Sequence, residues 1–341
     1  MFDFDDQEEM PMKAAVIERA GGTPVYGDFS EPVAGDGQEI VTVNASALSR
    51  FSKSRSSGEH YSSDGAFPAV AGADGVGRTA DGRRVYFALP EAPYGALAER
   101  SLVRTERCVP IPDGLDDITA AALANPGMSA WAGLVERARL RRGETVLVNG
   151  ATGTAGRIAV QLAKHLGAGK VIATGRNAEE LEEVKALGAD VVIPFAIDAL
   201  HSEALHPSGA KEYERALEAE FANGIDVVID YLWGESAKAI LVAIAKAVDD
   251  ATPVRFVHVG GASGEETIEL PGAALRSSAI VLMGSGVKSV RMAVLLDAIR
   301  NVFEVAAAAP LQIATSVVPL TEIASVWDDA PGKPRVVFTV G

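Results

Sequence analysis

The chain has 341 residues, 31 Lys plus Arg against 46 Asp plus Glu, and a single cysteine, Cys108. Length points to about two domains at ~150 residues each, and 48% hydrophobic with 23% charged residues excludes a disordered or fibrous chain. A net charge of −15 repels phosphate backbones and anionic lipid, so neither nucleic acid nor a membrane surface is an expected partner. One cysteine excludes an internal disulfide and a four-cysteine structural zinc site. The apolar stretch Ala239 to Val248 is broken by Lys246 and is too short to span a bilayer. The start is acidic where a signal peptide would be basic, so residues 1–11 read as a leader and the expected compartment is the cytoplasm.

From Met12 to about residue 125 the chain offers short β-type runs divided by turn residues. Met12-Lys-Ala-Ala-Val-Ile, Glu39-Ile-Val-Thr-Val-Asn, Arg84-Val-Tyr-Phe-Ala-Leu and Ala98-Glu-Arg-Ser-Leu-Val are the strands; Gly35-Asp-Gly, Ala80-Asp-Gly and Pro112-Asp-Gly supply turns. Little helical periodicity precedes residue 116, so a small antiparallel barrel or sandwich is expected. After Asn125-Pro126 the style changes. Apolar strands (144–149, 170–174, 190–193, 226–230, 255–259, 280–283) alternate with helices (157–166, 178–187, near 211–222 and 236–248). That alternation predicts a parallel sheet covered on both faces. One long apolar-striped helix follows over 290–309, and Arg335-Val-Val-Phe-Thr-Val closes the chain as a strand.

The strongest local motif is Val146-Leu-Val-Asn-Gly150-Ala151-Thr152-Gly153-Thr154-Ala155-Gly156, running directly into Arg157-Ile-Ala-Val-Gln-Leu-Ala-Lys. A strand, a glycine-rich turn and an amphipathic helix in that order form a dinucleotide signature. Side-chain-free positions let backbone N–H groups approach a pyrophosphate, and the helix N-terminus attracts it. The pattern here is Ala-x-Gly-x-x-Gly, with Ala151 in the place of the usual first glycine. At the end of the next strand, about 20 residues on, an NAD site wants a carboxylate for the ribose 2′-hydroxyl. Gly175, Arg176 and Asn177 stand there instead. Arg176 can pair bidentately with a 2′-phosphate, so NADPH is the expected cofactor.

With the order of barrel-like domain, Rossmann-type domain and return to the first domain, the chain resembles the medium-chain dehydrogenase/reductase superfamily, and within it the zinc-free quinone oxidoreductase branch. Met12-Lys-Ala-Ala-Val, Phe67-Pro-Ala-Val-Ala-Gly-Ala-Asp-Gly-Val-Gly, Pro110-Ile-Pro-Asp-Gly-Leu, Arg142-Gly-Glu-Thr-Val-Leu-Val and Leu187-Gly-Ala-Asp-Val-Val-Ile carry the likeness. The resemblance implies a doubly wound Rossmann sheet plus a GroES-like, mainly antiparallel β-barrel. Its domains would be residues 12–125, 126–285 for NADP binding, and 286–341 returning to the first. Zinc-dependent relatives carry Gly-His-Glu where this chain has Gly72-Ala73-Asp74, and their first cysteine ligand falls near Ser49. The histidines at 60, 165, 201, 206 and 258 form no ligand cluster, so no metal is expected.

Without a Lewis acid, the chemistry implied is hydride transfer from NADPH to a quinone or an α,β-unsaturated carbonyl. Tyr61 resembles the family's cleft tyrosine, which can hydrogen-bond a carbonyl and donate a proton. Met128 and Ser129 match the approach to the nicotinamide, Gly260 and Gly261 the loop over the cofactor, and Lys333 a phosphate contact. His258, inside an apolar strand, reads as a satisfied core histidine in preference to an acid catalyst. The resemblance also leaves open an enoyl-thioester reductase, for which Arg50, Lys53 and Arg55 would supply a basic entrance, and a non-catalytic NADPH-binding sensor. A homodimer is expected through the apolar strand Ala279–Ser285, whose unpaired edge a symmetry mate would cover.

Overall fold

The computed structural model describes residues 11–58, 66–195, 207–328 and 334–341. Its elements in chain order begin with β1 (Met12–Ile17), β2 (Val25–Phe29), β3 (Gln38–Ala47), α1 (Arg50–Ser56), β4 (Ala69–Val70), β5 (Asp74–Thr79), β6 (Arg84–Ala88), β7 (Arg100–Arg104), β8 (Cys108–Pro110) and α2 (Asp117–Trp131). Next come β9 (Thr145–Asn149), α3 (Thr154–His165), β10 (Lys170–Gly175), α4 (Ala178–Ala186), β11 (Val191–Pro194), α5 (Pro207–Phe221), β12 (Val227–Asp230), α6 (Gly234–Ala247), β13 (Pro253–His258), α7 (Gly272–Arg276), β14 (Ala279–Gly284) and α8 (Met292–Ala308). β15 (Thr315–Pro319), α9 (Ile323–Val326) and β16 (Arg335–Thr339) end the chain. The chain divides into two compact units, Met1–Asn125 with Phe303–Gly341, and Pro126–Val302.

The first unit is mainly antiparallel. Its larger sheet runs β15-β16-β3-β5-β6-β8, with β7 also paired to β3, and its smaller sheet runs β2-β1-β4. Alternation along β3 buries Val41 and Val43 and exposes Thr42, the period of two that a half-solvated sheet requires. Val41, Val43, Val85, Phe87 and Val103 form one core, each side chain contributing about 1.5–3 kcal/mol by leaving water. Two helices depart from the sequence expectation. The seven-residue α1 lies where only turn signals were visible, because a helix of two turns is too short to establish a periodicity. Ser49 caps it, its Oγ accepting from the Ser52 N–H at 2.8 Å. α2 runs straight through Asn125-Pro126, with Pro126 inside the helix, so the change of sequence style there does not start a new element.

The second unit is built on a six-stranded parallel sheet in the order β11-β10-β9-β12-β13-β14. The chain works outward from β9 to one edge and then from β12 to the other, the doubly wound arrangement with its switch point between β9 and β12. The middles of its central strands are apolar, since helices cover both faces: Leu147, Ile172, Val228 and Phe256 pack with Tyr213, Leu217 and Ile240. β14 is an edge strand, and Val281 and Leu282 on it are 46% and 42% exposed. The return to the first unit falls inside α8, at Val302 and Phe303, whereas the sequence expectation set it at residue 286. α8 is one unbroken helix with no glycine or proline to mark the crossing. Among the described residues no helix is long and apolar enough to cross a membrane.

Candidate functional site

The glycine motif forms the turn between β9 and α3. Gly150 sits at φ +85°, which favours glycine, and its N–H and that of Ala151 donate to Thr174 O at 3.1 and 2.9 Å. A Cβ on Gly156 would stand 2.3 Å from Gly150 O, so only glycine lets α3 approach the strand this closely. α3 holds itself to the sheet by burying Ile158, Ala159, Leu162 and Ala163 on one face. Its N-cap is Gly153, with no side-chain cap and no acidic residue in the first turn. By contrast, α4 is capped by Asn177, whose Oδ1 accepts from the N–H groups of Glu179 and Glu180. An uncapped helix N-terminus leaves backbone N–H donors and a positive dipole end for an anion. The residues present therefore fit a pyrophosphate at Thr152–Gly156.

β10 ends beside this turn. A Cβ on Gly175 would meet Thr152 Cγ2 at 2.9 Å and Leu181 Cδ2 at 3.4 Å, which leaves little room for any side chain there. Arg176 follows, exposed. Asn177 spends its side-chain oxygen on the cap of α4, which the expected cofactor role had not foreseen. Met128 and Ser129 are half-buried on α2, where the Ser129 hydroxyl donates to Pro126 O at 3.0 Å. Gly260 and Gly261 lie in the turn after β13, anchored by Val259 N–H to Asp230 O at 2.7 Å and by Ala262 N–H to Tyr231 O at 3.0 Å. Tyr61 and Lys333 lie outside the described residues.

Sequence reading overlooked a line of polar groups along the carboxyl ends of the same strands. Thr174, Asn149, Asp230 and His258 are register partners on β10, β9, β12 and β13. Thr174 Oγ1 donates to Asn149 Oδ1 at 2.7 Å, and Asn149 Nδ2 donates to Asp230 Oδ1 at 2.8 Å. His258 Nδ1 lies 2.9 Å from Asp230 Oδ2. Asp230 has no exposure, and it also accepts from the N–H groups of Leu232 and Trp233 at 3.1 Å, which offsets the cost of burying a charge. His258 is thus no core histidine: it is paired with a carboxylate and its side chain is one-third exposed, at 33%. The signal in the sequence was that four of the apolar strands carry a polar residue at or next to their carboxyl end. Only the register reveals that those ends meet.

The first unit holds Ser49 and Ala73, the two positions that the resemblance sets against zinc ligands. Both are buried and tied together through Ser52, whose Oγ accepts from Ala73 N–H at 3.2 Å. Beside them, Asp74 is buried; loss of hydration pushes its carboxyl up to about 6, against the opposing pull of Arg335 and of the Tyr86 hydroxyl. That hydroxyl donates to Asp74 Oδ2 at 3.2 Å, while Asp74 Oδ1 and two guanidinium nitrogens of buried Arg335 have no hydrogen-bond partner. Arg50, Lys53 and Arg55 all lie on α1, with Lys53 Nζ 5.7 Å above the Trp327 ring. Arg55 and Ser56 line a small cavity of about 60 Å³ with Phe67, Gly72 and Tyr94. Cys108 is half-buried, and burial pushes its thiol up to about 12. No group of three or more metal-ligating side chains gathers among the described residues.

Comparison with known proteins places this geometry in context. A family model described as zinc-binding dehydrogenase matches residues 155–301. That span lies in the second unit and does not reach Ser49 or Ala73. A probable NADPH-dependent quinone reductase of Emericella nidulans is 28% identical over 369 residues, covering 96% of this chain and 99% of that protein. The chloroplastic NADPH-dependent alkenal/one oxidoreductase of Arabidopsis thaliana is 32% identical over 204 residues, 54% of this chain and 52% of that one. A solved mycobacterial quinone oxidoreductase superimposes with a TM-score of 0.79 at 21% identity, covering 96% of this chain and 99% of the other. The last likeness is one of fold.

Proposed function

Because the chain belongs to the medium-chain dehydrogenase/reductase superfamily, we propose that it reduces a quinone or an α,β-unsaturated carbonyl with NADPH and without zinc. It is an NADPH-dependent oxidoreductase, and its relatives named quinone reductase and alkenal/one oxidoreductase support that reading. The observation that carries it is the uncapped N-terminus of α3 beside a crowded Gly175 and an exposed Arg176. Thr152 to Gly156 hold the pyrophosphate through backbone N–H groups, and Arg176 pairs with the 2′-phosphate. Bound NADPH supplies a hydride. Gly260 and Gly261 pass over the cofactor, Met128 and Ser129 border its nicotinamide, Lys333 reaches a phosphate, and Tyr61 hydrogen-bonds the acceptor carbonyl.

Zinc has no place in this reading because Ser49 and Ala73 supply neither thiolate nor imidazole, and Ser52 already binds both positions together. An acceptor that stabilises its own charge on reduction then suits the site: a quinone by becoming aromatic, an enone through its enolate. A CoA or phosphopantetheine thioester is the second reading, favoured by the three basic residues on α1.

Stopped-flow mixing of the NADPH-loaded protein with quinones, enones and enoyl thioesters tests both. Rapid loss of reduced nicotinamide with quinones or enones is expected. Oxidation by thioesters alone would select the second reading, and no oxidation by any acceptor would leave a binding protein and refute the reductase.

A further inference from the structure

His258 ends a hydrogen-bonded line that the reading above does not use. We propose that His258 is the proton-exchanging group of the reductase, delivering through Nε2 the proton that the acceptor takes up alongside the hydride. The inference rests on the reductase reading.

The tautomer follows from donor and acceptor counting. Asp230 receives N–H bonds from Asn149, Leu232 and Trp233, so the carboxylate is filled with donors. The remaining partner, His258 Nδ1 at 2.9 Å, must donate as well. That leaves Nε2 as the nitrogen that gains and loses a proton, on the part of the ring not directed at the fully buried Asp230. Asn149 and Thr174 hold the carboxylate in turn, so the ring is oriented by groups on three other strands.

Its position fits the role. In open parallel sheets, ligands bind outside the carboxyl ends of the strands near the switch point, and His258 is the last residue of β13, next to β12. The ring lies against Trp233, centroids 4.6 Å apart, and Trp233 holds a left-handed backbone at φ +65°. A bulky residue at positive φ is strained, and such strain concentrates at working sites. Asp230 from β12 is the charged partner of the ring, and on β14 the register partner Gly284 accepts from Arg137 Nε at 2.7 Å through its carbonyl. Glu265, in the loop after β13, is held at 2.8 Å by Glu235 N–H.

The step balances. The acceptor gains two electrons with the hydride, and its oxygen takes the proton as the Nε2–H bond breaks and an O–H bond forms. The ring is left neutral with its proton on Nδ1, and water restores the proton on Nε2. Asp230 accepts from Nδ1–H throughout and holds the ring in place.

Two measurements test this. NMR of isotope-labelled histidines in the wild type, with and without NADP+, should show one ring with its proton on Nδ1, identified by its absence in H258Q. A proton held on Nε2 in the neutral ring would overturn the proposal. In kinetics with a quinone, the wild-type rate should fall as pH rises through the titration seen by NMR. H258Q should be slower by about 10²- to 10⁴-fold, lose that limb, and bind NADPH within threefold of wild type. An active wild type with an unaltered H258Q, a limb lost in Y61F instead, or a rate loss that merely follows weaker NADPH binding would each sink this proposal alone. A wild type that oxidises NADPH with no acceptor would sink the reductase reading with it, while the tautomer measurement would still stand.

Discussion

Gly175 packs so closely on Thr152 that a Cβ at position 175 would stand 2.9 Å from Thr152 Cγ2. In a site that reads a ribose 2′-hydroxyl, a carboxylate occupies this point of the second strand. Here the methyl of a stiff β-branched residue in the glycine turn fills the space, with Leu181 behind it. The same contact that shapes the pyrophosphate turn thereby selects against the NAD-type side chain. On the proposed reading Arg176, exposed one residue on, answers the 2′-phosphate.

Arg176→Ala should therefore weaken NADPH far more than NADH. Losing one charge-assisted phosphate pair costs about 1.5–3 kcal/mol, a ten- to hundredfold drop in affinity. Fluorescence titration with both cofactors measures it. Equal losses for the two would show that Arg176 does not read the phosphate.

Prolonged chelation should leave NADPH oxidation unchanged, within twofold. On the proposed reading Ser49 and Ala73 take the places of zinc ligands, and a hydroxyl and a methyl hold no catalytic ion. Elemental analysis of the purified protein gives the independent reading: one tightly held zinc per chain would contradict the expectation.

Asp74 should make stability depend on pH. Its folded carboxyl is raised, chiefly by burial, from 3.8 to about 6. The unfolded chain loses this proton first, so stability from this group is full below the unfolded value and declines as pH rises toward about 6. A shift of that size corresponds to about 3 kcal/mol. Denaturant titrations from pH 4 to 7 should show that decline, and Asp74→Asn should flatten it. A wild-type curve that rises steadily across this window, unaltered in the variant, would refute the assignment.

Val281→Lys should convert a homodimer to a monomer while sparing NADPH binding. β14 is the open edge of the parallel sheet, and it presents exposed Val281 and Leu282 beside unpaired backbone groups. A charge there must be buried when a second copy pairs with the edge. Light scattering at micromolar concentration decides: a monomer mass for the unmodified protein removes the premise.

Much of the second unit was legible because its signals are local. Val146 to Asn149, the glycines and the apolar face of α3 lie within one stretch of about twenty residues, and each residue type there answers a backbone requirement of its own turn or helix. The antiparallel strands of the first unit were readable for the same reason, through period-two alternation and turn residues. Short α1 was not, since two turns of helix leave too few repeats, nor was α2, a helix that carries the boundary between the units at Asn125-Pro126 inside it.

What only the tertiary structure decided is which distant residues share a neighbourhood. Asn149, Thr174, Asp230 and His258 each look like an ordinary polar strand end, and nothing in one strand states the register of the next. Pairing β9 with β10 and β12, and β12 with β13, sets those four ends in one row and turns them into a single hydrogen-bonded line. The same holds for Gly175, whose crowding comes from Thr152 across the turn, and for Asp74, whose raised carboxyl reflects a burial that its own strand does not encode. Local sequence sets backbone geometry; charge, tautomer and room for a side chain depend on neighbours that only the folded sheet brings within a few ångströms.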